Sequence, residues 1–439
     1  MTNGVAPSLA MVSLGCAKNL VDTEELMGKI YDLNFNLVGE PESANAVIVN
    51  TCGFIQSAVD ESLGSLKDMV ALKKNGKVER VYAMGCYASR QDNVIREAVP
   101  GLDGAFSLSE NDLLLETLES NFKNDQHVGK TKLAGIRPIS ATLPHYSFLK
   151  ISEGCNRTCT YCTIPSIRGP NVDRSIEDLV EEAKGLVSRG VKELHVIAQD
   201  TTAYGIQRYG SPRLLELLKE LTQVDGLEWI RLLYAYPDHF SDELADFILE
   251  SPKMLNYLEL PIQHASPSVL RRMSRADTFE KFDRVFDRLR KGDPEFALRT
   301  TVILGFPGES EEEFSFMLDY CRKRKFDRLG AFKYYREEGT PAFRMKDQVP
   351  EEVVEERYHR LMSQQGEQHL KANEAWVGRD ISFIVDEEIG EGTFLGRTWR
   401  DAVEIDAQIQ IESSIPLSPG VMGTCRVTGF EDYDLLGVM

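Results

Sequence analysis

The chain has 439 residues, with 50 Lys and Arg against 69 Asp and Glu, a net charge of −19. At 42% hydrophobic and 27% charged residues it reads as a globular protein with ample core volume and, at about 100–200 residues each, two to four domains. A membrane span is excluded, because the longest apolar runs, NAVIVN and ELHVIA, fall far short of about 20 residues, and so acidic a chain repels nucleic acid in bulk and attracts basic partners.

The N-terminal stretch MTNGVAPSLAMVSLG has no basic region ahead of its apolar run. No signal peptide is expected, and the expected location is the cytoplasm. Apolar runs SLAMVSLG, NAVIVNT and RVYAMG then alternate with helical patterns such as VDTEELMGKIYDL and SAVDESLGSLKDMVALKK. That alternation predicts βαβ units and a parallel, Rossmann-like sheet over residues 1–125. A polar, proline-containing stretch predicts a linker over 126–145.

From 146 to 370 the alternation resumes on a larger scale. Candidate strands are YSFLKISE, ELHVIAQD, WIRLLYAYP, YLELPIQH, FALRTTVILGF and RLGAFKYY. Six such units predict a partial TIM-like (βα)6 barrel with its chemistry on the loops after the strands. The aromatic stripe Phe279, Phe282, Phe286 and Leu289 reads as the buried face of a barrel helix. Over 371–439 the short runs ISFIVDE, GTFLGRT, AVEIDAQIQI and GTCRVTGFEDYDLLGVM predict a small antiparallel β-barrel, giving an α/β chain overall.

Eight cysteines are present, and in a cytoplasmic chain they favour metal or catalytic use over disulfides. Cys155, Cys159 and Cys162 form a C-x3-C-x2-C cluster after the first barrel strand. Cys16, Cys52 and Cys86 each follow a predicted strand of the first sheet. Residues just past the carboxyl ends of parallel strands meet on one edge, so this dispersed triad points to a second shared site. Cys321 and Cys425 are expected to pack in cores. Three thiolates suit an iron–sulfur cluster with one iron left open; zinc is the alternative and needs a fourth ligand from a remote histidine, since none lies close by and His145 is ten residues away.

The compact motif, with Tyr161 before its last cysteine, resembles the radical S-adenosylmethionine superfamily. The whole chain is similar to its methylthiotransferase family, through SLGCAKNLVDTE, NTCGFI, MGCYASR, ISEGCNRTCTYCTIPSIRG, LPIQHAS and TVILGFPGE. The resemblance implies a TRAM domain at the C-terminus and two 4Fe–4S clusters. One, on Cys155, Cys159 and Cys162, would bind S-adenosylmethionine, which serves as radical source and as methyl donor. The other, on Cys16, Cys52 and Cys86, would carry the sulfur. An external reductant is implied. Catalytic residues beyond the cluster ligands stay unassigned.

Of the family's branches, SLGCAKNLVD looks like the one that modifies the β-carbon of an aspartate in protein twelve of the small ribosomal subunit. The alternative branch modifies an adenosine of transfer RNA, and a non-catalytic iron–sulfur carrier is the reading from another class. Residues 371–439 hold five basic against thirteen acidic residues, a net of −8, which suits a basic ribosomal protein better than RNA. In the family context Gly305 lies near S-adenosylmethionine. Gln199 and Asp200, at the end of the second barrel strand, are candidate cofactor contacts, with a helix cap as the alternative for Asp200. Gln263 and His264, at the end of the fourth, are similar candidates, with a satisfied core histidine as the alternative for His264.

Overall fold

The computed structural model describes residues 6–122, 135–275 and 278–439. The first sheet has strands β1 (Ser8–Ser13), β2 (Asn36–Leu37), β3 (Ala46–Thr51), β4 (Arg80–Gly85) and β5 (Gly104–Phe106) in the order β2-β1-β3-β4-β5, all parallel. Its central strands are apolar on both faces because helices cover both. On one side Leu26 and Ile30 of α1 (Ala17–Asp32) pack with Leu9, Ile48 and Met84. On the other, Val59 and Leu66 of α2 (Gln56–Lys74) and Tyr87 of α3 (Cys86–Ala98) pack with Val47, Val49 and Val81. A parallel sheet buried on both faces is what continuous apolar runs encode.

Of the linker expected over 126–145, residues 126–134 lie outside the described residues. The remainder is tied down. Arg137 is buried and bonds Glu24 of α1, Glu182 of the barrel at 2.9 Å, and the carbonyl of Phe148.

The second sheet has six parallel strands: β6 (Tyr146–Lys150), then, beyond a small antiparallel pair, β7 (Ser152–Glu153) with β8 (Val172–Asp173), the strands β9 (Glu193–Ile197), β10 (Trp229–Leu232), β11 (Met254–Glu259), β12 (Ala297–Leu304) and β13 (Arg328–Lys333). Their order, β13-β12-β11-β10-β9-β6, is that of an open barrel. The fourth barrel strand is shorter than YLELPIQH suggests. It ends at Glu259, two residues before Pro261, which has no N–H for the ladder. Gln263 and His264 therefore sit on the loop beyond it. Phe282, Phe286 and Leu289 face the core from the helix Thr278–Gly292, as their spacing predicts.

A helix from Glu351 to Glu374 leads into the last unit. There β14 (Asp380–Gly390), β15 (Thr393–Thr398), β16 (Ile409–Glu412), β17 (Met422–Glu431) and β18 (Asp434–Val438) close in the order β14-β15-β16-β18-β17. Pairings are antiparallel except β16 with β18, which is parallel. A closed ring of five strands cannot alternate direction throughout, so one parallel pair follows from the odd number. In AVEIDAQIQI only the last three residues lie in a strand; Asp406 instead binds back to the chain, taking the N–H of Ala402 at 2.9 Å.

The last unit packs against the six-stranded sheet. Ile384, Ala402 and Val403 share a core with Tyr146, Phe148, Trp229 and Tyr257. The charges are matched across the contact. Arg299 pairs with Asp406 at 3.1 Å, Arg397 with Glu193 and Arg328 with Asp401, while Asp386, held by Arg397 of its own unit at 2.9 Å, meets His145 at 2.7 Å. Three of the thirteen acidic residues are thus committed inside the chain. Glu387, Glu388 and Glu391 stay exposed at the β14–β15 hairpin. Among the described residues no helix is long and apolar enough to cross a membrane.

Candidate functional site

Cys16, Cys52 and Cys86 converge past the carboxyl ends of β1, β3 and β4. Cys16 stands at the N-cap of α1 with extended backbone and is exposed. Gly15 before it has φ +88°, and a Cβ there would lie 2.8 Å from Cys52 Sγ, so only glycine lets the first strand close onto the second cysteine. Cys86 opens α3, its Sγ 3.2 Å from Asn19 Oδ1. Asn19 also donates to the carbonyls of Leu14 at 2.9 Å and Thr51 at 3.1 Å. One buried amide thereby ties together all three strand ends that carry the cysteines. Burial pushes the Cys52 thiol up and the Cys86 thiol to about 12.

Beyond α4 (Asn111–Asn121) of the first unit, the compact triad hangs on the loop between β7 and the short helix α5 (Ile164–Arg168). Gly154 has φ +76°, and a Cβ there would sit 2.2 Å from the carbonyl of Pro170; the close approach lets Cys155 N–H donate to Gly169 at 3.1 Å. Backbone N–H groups point at the sulfurs. Arg157 donates to Cys155 Sγ and Ile164 to Cys162 Sγ, each at 3.4 Å. Arg275 places Nη1 4.0 Å from Cys159 Sγ and stacks on Tyr236, whose ring also carries Arg157. Burial pushes the Cys162 thiol to about 12, against the Ile164 N–H, which favours the thiolate. N–H donors and a guanidinium beside thiols are what an anionic thiolate-held cluster requires. The compact triad therefore fits an iron–sulfur cluster, and the dispersed triad offers the same three thiols, with the Phe54 N–H at Cys52 and the Arg168 charge at Cys86 favouring the thiolate. Among the described residues no three His, Cys, Asp or Glu side chains gather as one metal ion would demand. Thiolates on the corners of a cluster stand further apart than ligands of a single ion, so this bears on single-ion sites such as zinc.

A cavity of about 190 Å³ adjoins Cys155, lined by Asn156, Arg157, Asn171, Asp200 and Gln207 among others. A larger one, about 330 Å³, lies on the outside of the barrel between the helices Asp242–Glu250 and Thr278–Gly292, and no cysteine lines it.

Among the other candidates, Gln199 donates to Glu153 at 3.0 Å, and its Oε1 is buried with no partner. Asp200 caps the turn at Ala203 through Oδ1 and pairs with Arg157 through Oδ2 at 2.9 Å. Tyr161 packs edge-on to Phe306 and is partly buried; burial and the Cys159 charge push its phenol well above the usual range. Gln263 has φ +66° and bridges to β12 through its backbone. His264 is fully buried; its Nδ1 accepts from Ser266 N–H at 2.9 Å, and its Nε2 is buried without a hydrogen-bond partner. The Gly305 N–H is taken by Glu309 at 2.9 Å, and Glu309 is held by Arg357 at 2.8 Å. Cys321 and Cys425 lie in the barrel core and the C-terminal core.

Composition and motif spacing do not disclose how the two triads are joined. Arg168, the last residue of α5, reaches Asp22 of α1 at 2.9 Å and Glu153 at 2.8 Å, and donates to Asn19 Oδ1. Lys150 at the end of β6 pairs with Asp22 and with Glu153 at 3.1 Å. Burial acts to raise the Glu153 carboxyl, but Lys150 and Arg168 prevail and hold it at about 2. On the far side Arg90 of α3 joins Glu337 beyond β13 at 2.8 Å. The only available signal was two cations, Lys150 and Arg168, flanking the compact motif, and acidic residues one helical turn along α1.

Comparison with known proteins agrees along the whole chain. Residues 149–321 match the Radical SAM superfamily, 8–107 match the Uncharacterized protein family UPF0004, and 377–439 match the TRAM domain. The chain is 41% identical over 432 residues to ribosomal protein uS12 methylthiotransferase RimO of Carboxydothermus hydrogenoformans, covering 97% of this chain and 98% of that one. It is 40% identical to the protein of that name from Acetivibrio thermocellus, covering 98% and 97%. In fold it resembles the radical S-adenosylmethionine methyltransferase TsrM of Kitasatospora setae, with a TM-score of 0.57 at 15% identity over 77% of each chain.

Proposed function

The chain belongs to the RimO family of radical S-adenosylmethionine methylthiotransferases, and from that membership we propose that it methylthiolates the β-carbon of an aspartate in ribosomal protein uS12. The observation that carries the reading is the pairing of two cysteine triads across one bridge, Asn19 with Arg168.

On this reading Cys155, Cys159 and Cys162 hold one 4Fe–4S cluster and Cys16, Cys52 and Cys86 hold the second. When bound, the first would supply an open iron for S-adenosylmethionine and the electron for its reductive cleavage, and the second would supply the sulfur. The chain's own residues position and shield. N–H donors at Cys155 and Cys162 and the cation of Arg275 stabilise thiolate charge. The vacant Oε1 of Gln199 offers an acceptor, and Asp200, fixed by Arg157, offers a rigid carboxylate beside the cavity at Cys155. Tyr161 and Gln263 join the proposed S-adenosylmethionine contacts. His264, whose Nε2 has no hydrogen-bond partner, and Gly305 are further proposed contacts. Residues 1–125, 126–145, 146–370 and 371–439 are the proposed functional divisions, and an external one-electron reductant and a cytoplasmic location go with the reading.

The exposed Glu387, Glu388 and Glu391 support a basic protein partner over transfer RNA, since RNA affinity rests on phosphate contacts from Lys and Arg. The test is an anaerobic assay of reconstituted enzyme with S-adenosylmethionine, sulfide and reductant, offering uS12 and transfer RNA in parallel. Mass spectrometry should show one methylthio group on the aspartate-bearing peptide of uS12. Modification of RNA alone would reverse the assignment.

A further inference from the structure

We propose that Lys18 receives the carboxylate of the substrate side chain and so sets the preference for an acidic residue; this rests on the reading above, that an aspartate is brought to the edge formed by Cys16, Cys52 and Cys86.

Lys18 lies two residues beyond Cys16, in the first turn of α1, and is only 8% exposed. Its Nζ stands 3.1 Å above the centre of the Tyr234 ring. Most cations around the two triads are held by carboxylates. Lys150 and Arg168 share Asp22 and Glu153, Arg157 holds Asp200 and Asp238, and Arg299 holds Glu259 and Asp406. Among the described residues Lys18 and Arg275 have no carboxylate within ion-pair reach, and Arg275 is engaged instead by the Pro261 carbonyl at 2.8 Å and by Cys159. An amine seated on an aromatic ring with no carboxylate opposite it has donors to offer a ligand anion.

Tyr234 is an independent sign. Two residues past the end of β10 it adopts φ +56°, a left-handed conformation rare for an aromatic residue. The strain is held in place by Glu259, which accepts the Tyr234 N–H at 3.2 Å, and by Thr201, which donates to its carbonyl at 3.1 Å. Such strain persists at sites that need a side chain aimed in one direction. Here the ring covers one side of the ammonium, while Cys16 alongside is exposed and keeps that edge open.

The rival role for Lys18 is to balance the thiolate charge of Cys16. The two are separated with a pair of peptides carrying the target aspartate or asparagine in its place. Cluster-loaded enzyme is measured for peptide affinity by fluorescence anisotropy and for turnover by mass spectrometry. The wild type should prefer the aspartate peptide, and Lys18→Met should lower that preference by roughly 10- to 100-fold while Lys18→Arg keeps most of it. The ratio is internal to each preparation, so partial cluster loss cancels. If Lys18→Met fails to hold iron, Tyr234→Leu, outside both triads, reads the same ratio and should lower it as well. An unchanged ratio in an enzyme that still modifies the aspartate peptide overturns the role of Lys18 alone. A wild type that leaves the peptide and uS12 untouched but modifies transfer RNA overturns the functional reading, and the role of Lys18 with it.

Discussion

The Arg168 guanidinium lies 2.9 Å from the Asp22 carboxylate, joining the helix that leaves the compact cysteine motif to the helix that begins at Cys16. It is 1% exposed at the side chain and also bonds Glu153 and Asn19. Removing one partner of a buried pair leaves the other charge stranded. Arg168→Met should therefore destabilise the protein by about 3 kcal/mol in denaturant titration, the low end of the range because Lys150 still faces Asp22. Arg168→Met with Asp22→Asn should recover part of that loss. An additive double variant would show that the pair is not coupled.

Asn19 makes a different prediction, because the one cysteine it bonds, Cys86, belongs to the dispersed triad. Asn19→Ala leaves the carbonyls of Leu14 and Thr51 without their donor in a buried setting, at roughly 1–3 kcal/mol. Loading of Cys16, Cys52 and Cys86 should weaken, while Cys155, Cys159 and Cys162 load normally. Iron and sulfide analysis of the reconstituted variant should show about half the wild-type content, with release of 5′-deoxyadenosine retained.

The contact between the barrel and the C-terminal unit should be acid-sensitive. Burial acts to raise the Asp386 carboxyl, but the His145 hydrogen bond and the Arg397 charge prevail and hold it below the ordinary range. A carboxyl depressed in the folded state contributes stability that is fully present above its unfolded value, about 4, and is lost as pH falls through the lower folded value. Thermal unfolding of the cluster-free protein should change little on this account between pH 7 and about 5 and then fall steeply in acid. Asp386→Asn should lower stability by roughly 3 kcal/mol at neutral pH and flatten the acid slope.

Much of this was legible in the sequence for a physical reason. Strands covered on both faces write themselves as unbroken apolar runs, so the six barrel strands and β1, β3 and β4 stood out. β2 and β5, with two and three residues, are too short to show a pattern. The cysteines were legible because three of them repeat at one point of a repeated unit. Asn19 and Arg168 were not, because their roles depend on partners as many as 149 residues away. The acidic C-terminal composition was visible, but not that Asp386, Asp401 and Asp406 are turned inward onto arginines. A charge count does not distinguish an acid that meets solvent from one that holds two units together.

The central claim is that two triads of one chain hold two clusters with separate duties. It is tested most directly by iron analysis and S-adenosylmethionine cleavage on the Cys16→Ala, Cys52→Ala, Cys86→Ala triple variant. The account predicts about half the wild-type iron, continued release of 5′-deoxyadenosine and no methylthio product. A variant that loses cleavage together with its iron would contradict it.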